Sequence, residues 1–509
     1  MVKLYQLTMN HDEGELERLI AGDKEHKDSE CPSFWCQLIL SLFGVLFLFT
    51  GIIMTGLWPQ IFGDVMKHKL ELRNNTQTYK YWEKLPVPLQ MEIYLFNWTN
   101  PEATLQNKTK PVLQQLGPYV FTDKRLKVNQ TFNKNSTITY MQLKSWYFEP
   151  LASNGSLTDK ITTVNVILSV LGEKLKKINR HWVYILANYY LKIKKINQPY
   201  VTKTAGEFLF DGYDDPILDV IIKLQAFIPI NVPIKKVGWF YGMNMSTAAD
   251  GLVNMYTGVD DISKVGIIHS VNYNTKLNIF NKDCSYSNGS VGDLWPEHSA
   301  SQPNISLYVP SLCSAVTLTN TNHAYVNEIE GINFAAGSDV FNNTCNCPPS
   351  GCQQLPGVRS LNLCGNNNPL PLFVSFPHFY LADPSYGQMI NGMKPNKSLH
   401  EFKIILEKDY SIPLSVDAKF QFNVKISPIK EFSILRNVPE LYLPTFWFSE
   451  SFVIPQNMSD QLTIVTNLLP NIVPYVWLMM AVAGSVMLII STYFWINRKN
   501  KSFVLDPVE

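Results

Sequence analysis

The sequence predicts an α+β membrane protein in which two transmembrane helices flank a large ectodomain. Three observations carry that reading. One charge-free apolar run lies near each end of the chain. Between the runs fall six of the eight cysteines and twelve N-x-Ser/Thr sequons, the marks of an oxidising, glycosylating compartment. Within the same segment, strand-like alternation is interrupted by longer apolar stretches without alternation. Composition agrees: 46% of the 509 residues are hydrophobic and 17% charged, against about 25% charged for soluble globular chains. Lys plus Arg number 43 and Asp plus Glu 42, a formal net charge of +1, so no nucleic acid partner is expected.

In chain order, residues 1–35 form a cytoplasmic N-terminal tail. Glu15, Leu19 and Ile20 match the acidic dileucine pattern [DE]-x-x-x-L-[LI] that clathrin adaptors read; the competing reading is a short amphipathic helix with no reader. Cys31 and Cys36 lie next to the membrane, and their sequence leaves palmitoylation and free thiols equally open. Residues 36–58 (CQLILSLFGVLFLFTGIIMTGLW) contain no charge and as a helix reach about 34 Å, enough for a hydrocarbon core of about 30 Å. The run lies behind a polar stretch and lacks a small-residue cleavage site, so it reads as a retained span rather than a signal peptide.

Residues 59–471 form the lumenal or extracellular ectodomain. Residues 89–98 and 403–406 read as strands, and 419–426 alternates strictly, with Phe420, Phe422, Val424 and Ile426 on one face and Lys419, Gln421, Asn423 and Lys425 on the other, as in a half-buried strand. Asp409 and Pro413 suggest a hairpin over 402–426. Residues 162–178, 180–195 and 205–227 read as helices, broken near Gln198 and Pro199. No repeat or low-complexity linker divides the segment. Residues 472–496 form the second span, with Trp477, Tyr493 and Trp495 near its ends, and 497–509 the C-terminal tail. Arg498, Lys499 and Lys501 follow this span while 451–471 contain no Lys or Arg, so the C-terminus is cytoplasmic. Two crossings put the N-terminus on the same side, although Lys24 and Lys27 against Lys67, Lys69 and Arg73 leave the first span ambiguous alone.

The candidate glycosylation sites are Asn74, Asn97, Asn107, Asn129, Asn135, Asn154, Asn244, Asn288, Asn304, Asn342, Asn396 and Asn457. The ectodomain cysteines are Cys284, Cys313, Cys345, Cys347, Cys352 and Cys364. They lack the C-x-x-C spacing of structural zinc sites and lie outside the cell or in a lumen, so disulfides rather than a metal site are expected, with all fifteen pairings open.

Between residues 161 and 200 the charged residues are Lys174, Lys176, Lys177, Arg180, Lys192, Lys194 and Lys195 against the single acid Glu173. Lys174 and Lys177 are three apart and Lys176 and Arg180 four apart, so each pair shares a helix face, beside Leu171, Trp182, Ile185 and Leu186. The cluster suits an anionic, partly apolar partner; the competing reading is an ordinary solvated helix face. H-E-x-x-H, G-x-S-x-G and P-loop patterns are missing and the nine histidines have no ligand-like spacing, so neither catalysis nor a cofactor is expected.

Several stretches together resemble the class B scavenger receptor family, which includes fatty-acid and lipoprotein scavenger receptors and the lysosomal integral membrane protein type 2. They are 71–102 (ELRNNTQTYKYWEKLPVPLQMEIYLFNWTNPE), 116–121 (LGPYVF), 206–219 (GEFLFDGYDDPILD), 250–268 (DGLVNMYTGVDDISKVGII), 375–383 (SFPHFYLAD) and 392–396 (GMKPN). The resemblance implies a distorted antiparallel β-barrel with an apical helical bundle and an internal lipid tunnel. It implies disulfides Cys284 to Cys345, Cys313 to Cys364 and Cys347 to Cys352, and an apex over 164–195, where the basic cluster falls. Two features depart from the family pattern. Asp211 is inserted where members commonly read L-W-G-Y, leaving Phe210-Asp211-Gly212-Tyr213, and the N-terminal tail is longer than the family norm.

The function expected from this resemblance is a membrane lipid receptor and transporter. Anionic lipids or lipoproteins bind the basic apex, and fatty acid, sterol or phospholipid passes through an apolar tunnel to the membrane. A second reading is a lysosomal or endosomal sorting receptor whose apex binds a lumenal protein. A third and weaker one is a ligand-gated channel, since such channels share two spans and a disulfide-rich ectodomain; neither span here holds an ionisable residue. The lysosomal membrane and the plasma membrane are both open as locations, and so is oligomeric state.

Overall fold

The computed structural model of the chain describes residues 34–228, 234–247, 250–276, 289–342, 354–361 and 370–503. The chain divides into two units, Met1–Phe62 with Asn467–Glu509, and Gly63–Thr466. Five helices are numbered: α1 (Phe34–Leu70), α2 (Val166–Ile178), α3 (His181–Ile193), α4 (Pro216–Gln225) and α5 (Leu469–Phe503).

In the terminal unit, α1 and α5 are long and apolar enough to cross a membrane. Each extends past its apolar run, α1 ending on Lys67, His68 and Lys69, a basic last turn that suits the negative end of the helix dipole. Glycines let the two backbones meet. A Cβ on Gly44 would lie 3.1 Å from the Gly484 carbonyl oxygen, and one on Gly51 would lie 2.6 Å from that of Trp477. The hydroxyls of Ser41 and Ser491 are 2.7 Å apart, a polar contact of the kind that joins helices where water is scarce.

The larger unit is built on strands β1 (Leu89–Trp98), β2 (Leu113–Phe132), β3 (Thr137–Phe148), β4 (Lys160–Val164), β5 (Tyr200–Thr204), β6 (Leu252–Tyr256), β7 (Ile268–Val271), β8 (Asn304–Val309), β9 (Ser314–Val326), β10 (Ile329–Ala336), β11 (Arg359–Ser360), β12 (Leu372–Ser375), β13 (Lys403–Glu407), β14 (Pro413–Ile426) and β15 (Leu441–Val453). Thirteen form one sheet in the order β7-β6-β3-β2-β1-β15-β14-β13-β10-β9-β8, with β12 and β11 added beside β14. The pairs along this path are antiparallel. The two ends nearly meet. Around Ser290, the Ile268 amide donates to the Gly289 carbonyl, while Ser290 donates to Ser306 and Tyr308 donates to Ser290. One short segment thus bonds to both edges, which leaves a nearly closed barrel and few open strand edges.

Expectation and structure agree at β1 and at the β13–β14 hairpin, and differ in three places. Residues 162–164 lie in β4, paired with β5, because the Thr-rich segment finds a strand partner 40 residues on. Residues 205–227 are not one helix: Glu207–Asp211 is a π-helix ending at Gly212 (φ 68), and α4 starts only at Pro216. A π turn accommodates one residue more than an α turn, and Asp211 occupies this one. Finally, the polar face of 419–426 is not solvated. Lys419, Gln421 and Asn423 are buried: Gln421 and Asn423 donate to the Ser375 hydroxyl of β12 and Gln421 accepts from the His378 amide, while Lys419 pairs with Asp417.

Candidate functional site

The helical crown is held by a shared apolar core. α2 contributes Ile167, Leu168, Leu171 and Leu175, α3 contributes Val183, Tyr184, Ala187 and Leu191, and α4 contributes Ile217, Val220, Ile221 and Leu224, all packed with Ile429, Phe432, Leu435 and Val438. Gly172 permits the closest approach, since a Cβ there would lie 2.5 Å from a Leu435 methyl. Burial of Leu171 and the packing of Leu186 separate them from Trp182 and Ile185, which remain exposed.

The structure gathers the seven cations around two helix ends rather than along one face. Lys174, Lys176 and Lys177 lie in the C-terminal part of α2, Asn179 turns the chain in the left-handed region (φ 49), and Arg180 is the N-cap of α3. Lys176 and Arg180 therefore do not share a helix face, contrary to expectation: the chain leaves the helix between them. Lys192 is in the last turn of α3, Lys194 caps it, and Lys195 follows at φ 56. Cations at helix C-termini are favoured by the dipole, which accounts for part of the clustering without a ligand. It does not account for Lys174, whose ammonium is pushed below its ordinary pKa by burial and then by Lys177. Lys194 is paired with Asp219 at 2.6 Å, so it contributes less free charge than the sequence suggests. Beside the crown a cavity of about 370 Å³ adds Lys108 and Arg436, lined also by Thr104, Thr109 and Val438.

Cross-strand register places an unforeseen set of side chains on the inward face of the barrel. Asp123 pairs with Trp146, Arg125 with Lys144 and Lys127 with Gln142, while Ala418 pairs with Glu450, Phe420 with Phe448 and Phe422 with Phe446. Lys144 bonds Asp250 at 2.8 Å, Lys127 bonds Asp293 at 2.5 Å, and Arg125 contacts both Asp123 and Glu450. Asp250 has its carboxyl pKa lowered: burial opposes the shift, and Lys144, Arg125 and Gln142 together outweigh it. Beside these charges, on the same face of β2 and β15, runs an aromatic wall. Phe422 stacks on Phe446 at 4.7 Å, Trp239 lies 4.9 Å from Phe446, Phe240 stacks on Phe210 at 5.2 Å, and Phe210 reaches Phe121 at 4.9 Å. Phe422 and Phe448 sit in central strands with neighbours on both sides, yet they are only half-buried, as are Val416, Ala418, Phe210, Trp239 and Phe240. Only the aromatic alternation of 420–426 hinted at this wall; the charges beside it come from segments far apart in the chain.

On the opposite face, Gln115 accepts from Trp447 Nε1 at 2.8 Å and pairs with His378 Nε2 at 2.7 Å, while His378 Nδ1 accepts from the Lys394 amide. His378 stacks on His400 at 4.6 Å. Burial, then Lys394, lowers the His378 pKa to about 4; burial, then His378 and Lys419, lowers that of His400 to about 3. Both rings are neutral at ordinary pH and serve packing.

Nine sequon asparagines, Asn74, Asn107, Asn129, Asn135, Asn154, Asn244, Asn304, Asn396 and Asn457, are exposed, and Asn97 and Asn342 are half-buried. Asn244 spends its amide on both backbone groups of Trp146. No sequon occurs between Asn154 and Asn244, the stretch that carries α2, α3 and α4; Asn107 is the sequon next to Lys108 beside the crown. Cys313 is buried and disulfide-bonded. Glu15, Leu19, Ile20, Cys31, Asn288, Cys284, Cys345, Cys347, Cys352 and Cys364 lie outside the described residues.

Residues 42–495 match the profile described as the CD36 family. Protein peste of Drosophila melanogaster is 33% identical over 440 residues, covering 84% of this chain and 77% of its own. Scavenger receptor class B member 1 of Bos taurus is 29% identical over 471 residues, covering 91% and 90%. Lysosome membrane protein 2 of Rattus norvegicus is 28% identical over 453 residues, covering 87% and 91%.

Proposed function

Since the chain belongs to the CD36 family, a family of membrane receptors and not of enzymes, we propose that it is a scavenger-receptor-type lipid receptor and transporter. Anionic lipid or lipoprotein meets the crown at Lys174, Lys176, Lys177, Arg180, Lys192 and Lys195, with both chain termini in the cytoplasm and the glycosylated unit outside. Lipid then passes inside the barrel along the aromatic wall toward the membrane. Acyl chains kept there avoid contact with water worth about 0.8 kcal/mol per CH₂.

One observation carries this reading. Phe422 and Phe448 lie in the middle of the barrel wall, on the face they share with Phe420 and Phe446, yet are only half-buried, which supports an incompletely packed interior. Ala418→Trp, placed on that face, should leave particle binding intact and stop lipid delivery in cells; delivery at the wild-type rate would defeat the conduit. Reversing Lys174, Lys177, Lys192 and Lys195 to Glu should abolish uptake of anionic lipid particles, and normal uptake would remove the crown from the account.

A second reading, a lysosomal or endosomal sorting receptor with a lumenal protein partner, is favoured by the similarity to lysosome membrane protein 2 and by the Glu15, Leu19, Ile20 pattern in the tail. Leu19→Ala with Ile20→Ala should then move the protein to the cell surface, and an unchanged distribution would end that reading.

A further inference from the structure

α3 is apolar on both sides but packed on one. Val183, Tyr184, Ala187 and Leu191 face the crown core. Trp182, Ile185, Tyr189 and Ile193 follow one another at steps of three, four and four residues, which aligns them along the helix, and they are 45%, 58%, 59% and 55% exposed. Counting 100° per residue, the centre of this stripe lies almost opposite the buried face. The helix cannot roll to hide it. Asn188 donates to the Glu431 carbonyl at 2.8 Å and accepts from the Ser433 amide at 3.0 Å, pinning α3 to the loop beneath.

We propose that this stripe is a lipid-surface anchor, inserted among the headgroups and outer acyl carbons of the anionic phospholipid surface that the crown meets. The proposal rests on the lipid-receptor reading above and deepens it: the cations find the surface and the apolar stripe enters it. Charge argues for this occupant. Arg180 stands at the start of α3 and Lys192 and Lys195 at its end, and residues 174–206 contain no Asp or Glu. A line of ring and branched side chains with cations at both ends matches a surface of phosphates over hydrocarbon. Trp182 and Tyr189 are of the type that settles at headgroup level. α3 itself carries no sequon, since none occurs from 155 to 243.

The test uses the full chain in nanodiscs of neutral lipid, mixed with protein-free vesicles of phosphatidylcholine containing phosphatidylserine, at low and high salt. Wild-type binding should weaken in salt but persist, because apolar insertion is not screened. Trp182→Ser, Ile185→Ser, Tyr189→Ser and Ile193→Ser together should reduce binding at least about tenfold and make the remainder vanish in high salt. The positions are exposed, and the pair Ile185→Ser with Ile193→Ser, expected to show a smaller loss, serves if the fourfold variant misfolds. Wild-type binding by these variants alongside lost binding by the Glu-reversed crown would overturn the anchor and leave the receptor reading standing. Wild-type binding by both would overturn the two together. Unchanged vesicle binding with loss of a soluble lumenal protein would make the stripe a protein dock and overturn the proposal.

Discussion

Asn165 and Asp215 hydrogen-bond to each other at 2.7 Å while each caps a different helix. Asn165 accepts from the Leu168 amide at the start of α2, and Asp215 accepts from the Ile217 amide at the start of α4. Both are buried, so one contact ties two of the crown's three helices at their N-termini. Removing either side chain deletes a cap and orphans its buried partner, a loss of about 2 kcal/mol or more. Asn165→Ala should raise hydrogen exchange in both α2 and α4, and Asn165→Ala with Asp215→Ala should cost less than the sum of the single changes. Exchange confined to α2 would show that the tie carries nothing.

The His378 and His400 pair makes stability fall in acid. Both rings have folded pKa values of about 4 and 3, below the ordinary value of about 6.5, so the unfolded chain takes up protons first. Stability contributed by keeping them neutral is present above about pH 6.5 and is lost as pH drops toward those folded values, by roughly 3 kcal/mol for His378. Thermal melts of the full chain between pH 7 and 4 should decline, and His378→Gln should flatten the slope. An unchanged slope in that variant would assign acid sensitivity elsewhere.

Lys127 is buried against Asp293 at 2.5 Å, with the Trp82 ring 5.7 Å from its ammonium. Lys127→Met leaves a carboxylate without its partner and should cost about 3–5 kcal/mol, whereas Lys127→Met with Asp293→Leu should recover most of the loss. Denaturant melts of the two variants give the comparison. Equal losses would mean the pair, and not the orphaned acid, is what stabilises the barrel.

In the helix pair, a side chain at Gly484 would lie 2.6 Å from the Gly44 carbonyl and 2.5 Å from the Leu48 amide nitrogen. Gly484→Leu should separate α1 from α5, breaking the Ser41 to Ser491 contact, and cysteines placed at those serines should then cross-link poorly. Cross-linking at the undisturbed rate would contradict the packing.

Legibility in the sequence followed the range of the interactions. β1 and the β13–β14 hairpin could be read because apolar alternation and a nearby Asp409 and Pro413 are local signals. The two apolar helices could be read because a run of uncharged residues needs no partner to declare itself. By contrast, Lys127 and Asp293, or Gln115, His378 and Trp447, meet only when distant strands pair, and nothing near each residue marks it. Alternation at 419–426 identified the strand but assigned its polar face to water, because a satisfied buried Gln421 or Asn423 has the same letter as a solvated one. The exposed stripe of α3 was legible only in part: Trp182 and Ile185 could be read beside the cations, but so could Leu171 and Leu186, which pack inward, because an all-round apolar helix does not mark which side is covered.

The central claim is that lipid moves from the crown through the barrel into the membrane. The most direct measurement reconstitutes the full chain in acceptor vesicles and follows transfer of labelled fatty acid or sterol from bound anionic particles. Transfer should exceed the rate of protein-free vesicles at least about tenfold, and the Ala418→Trp chain should bind the particles without transferring. Particles that bind the wild-type chain while transfer stays at the protein-free rate would contradict the account.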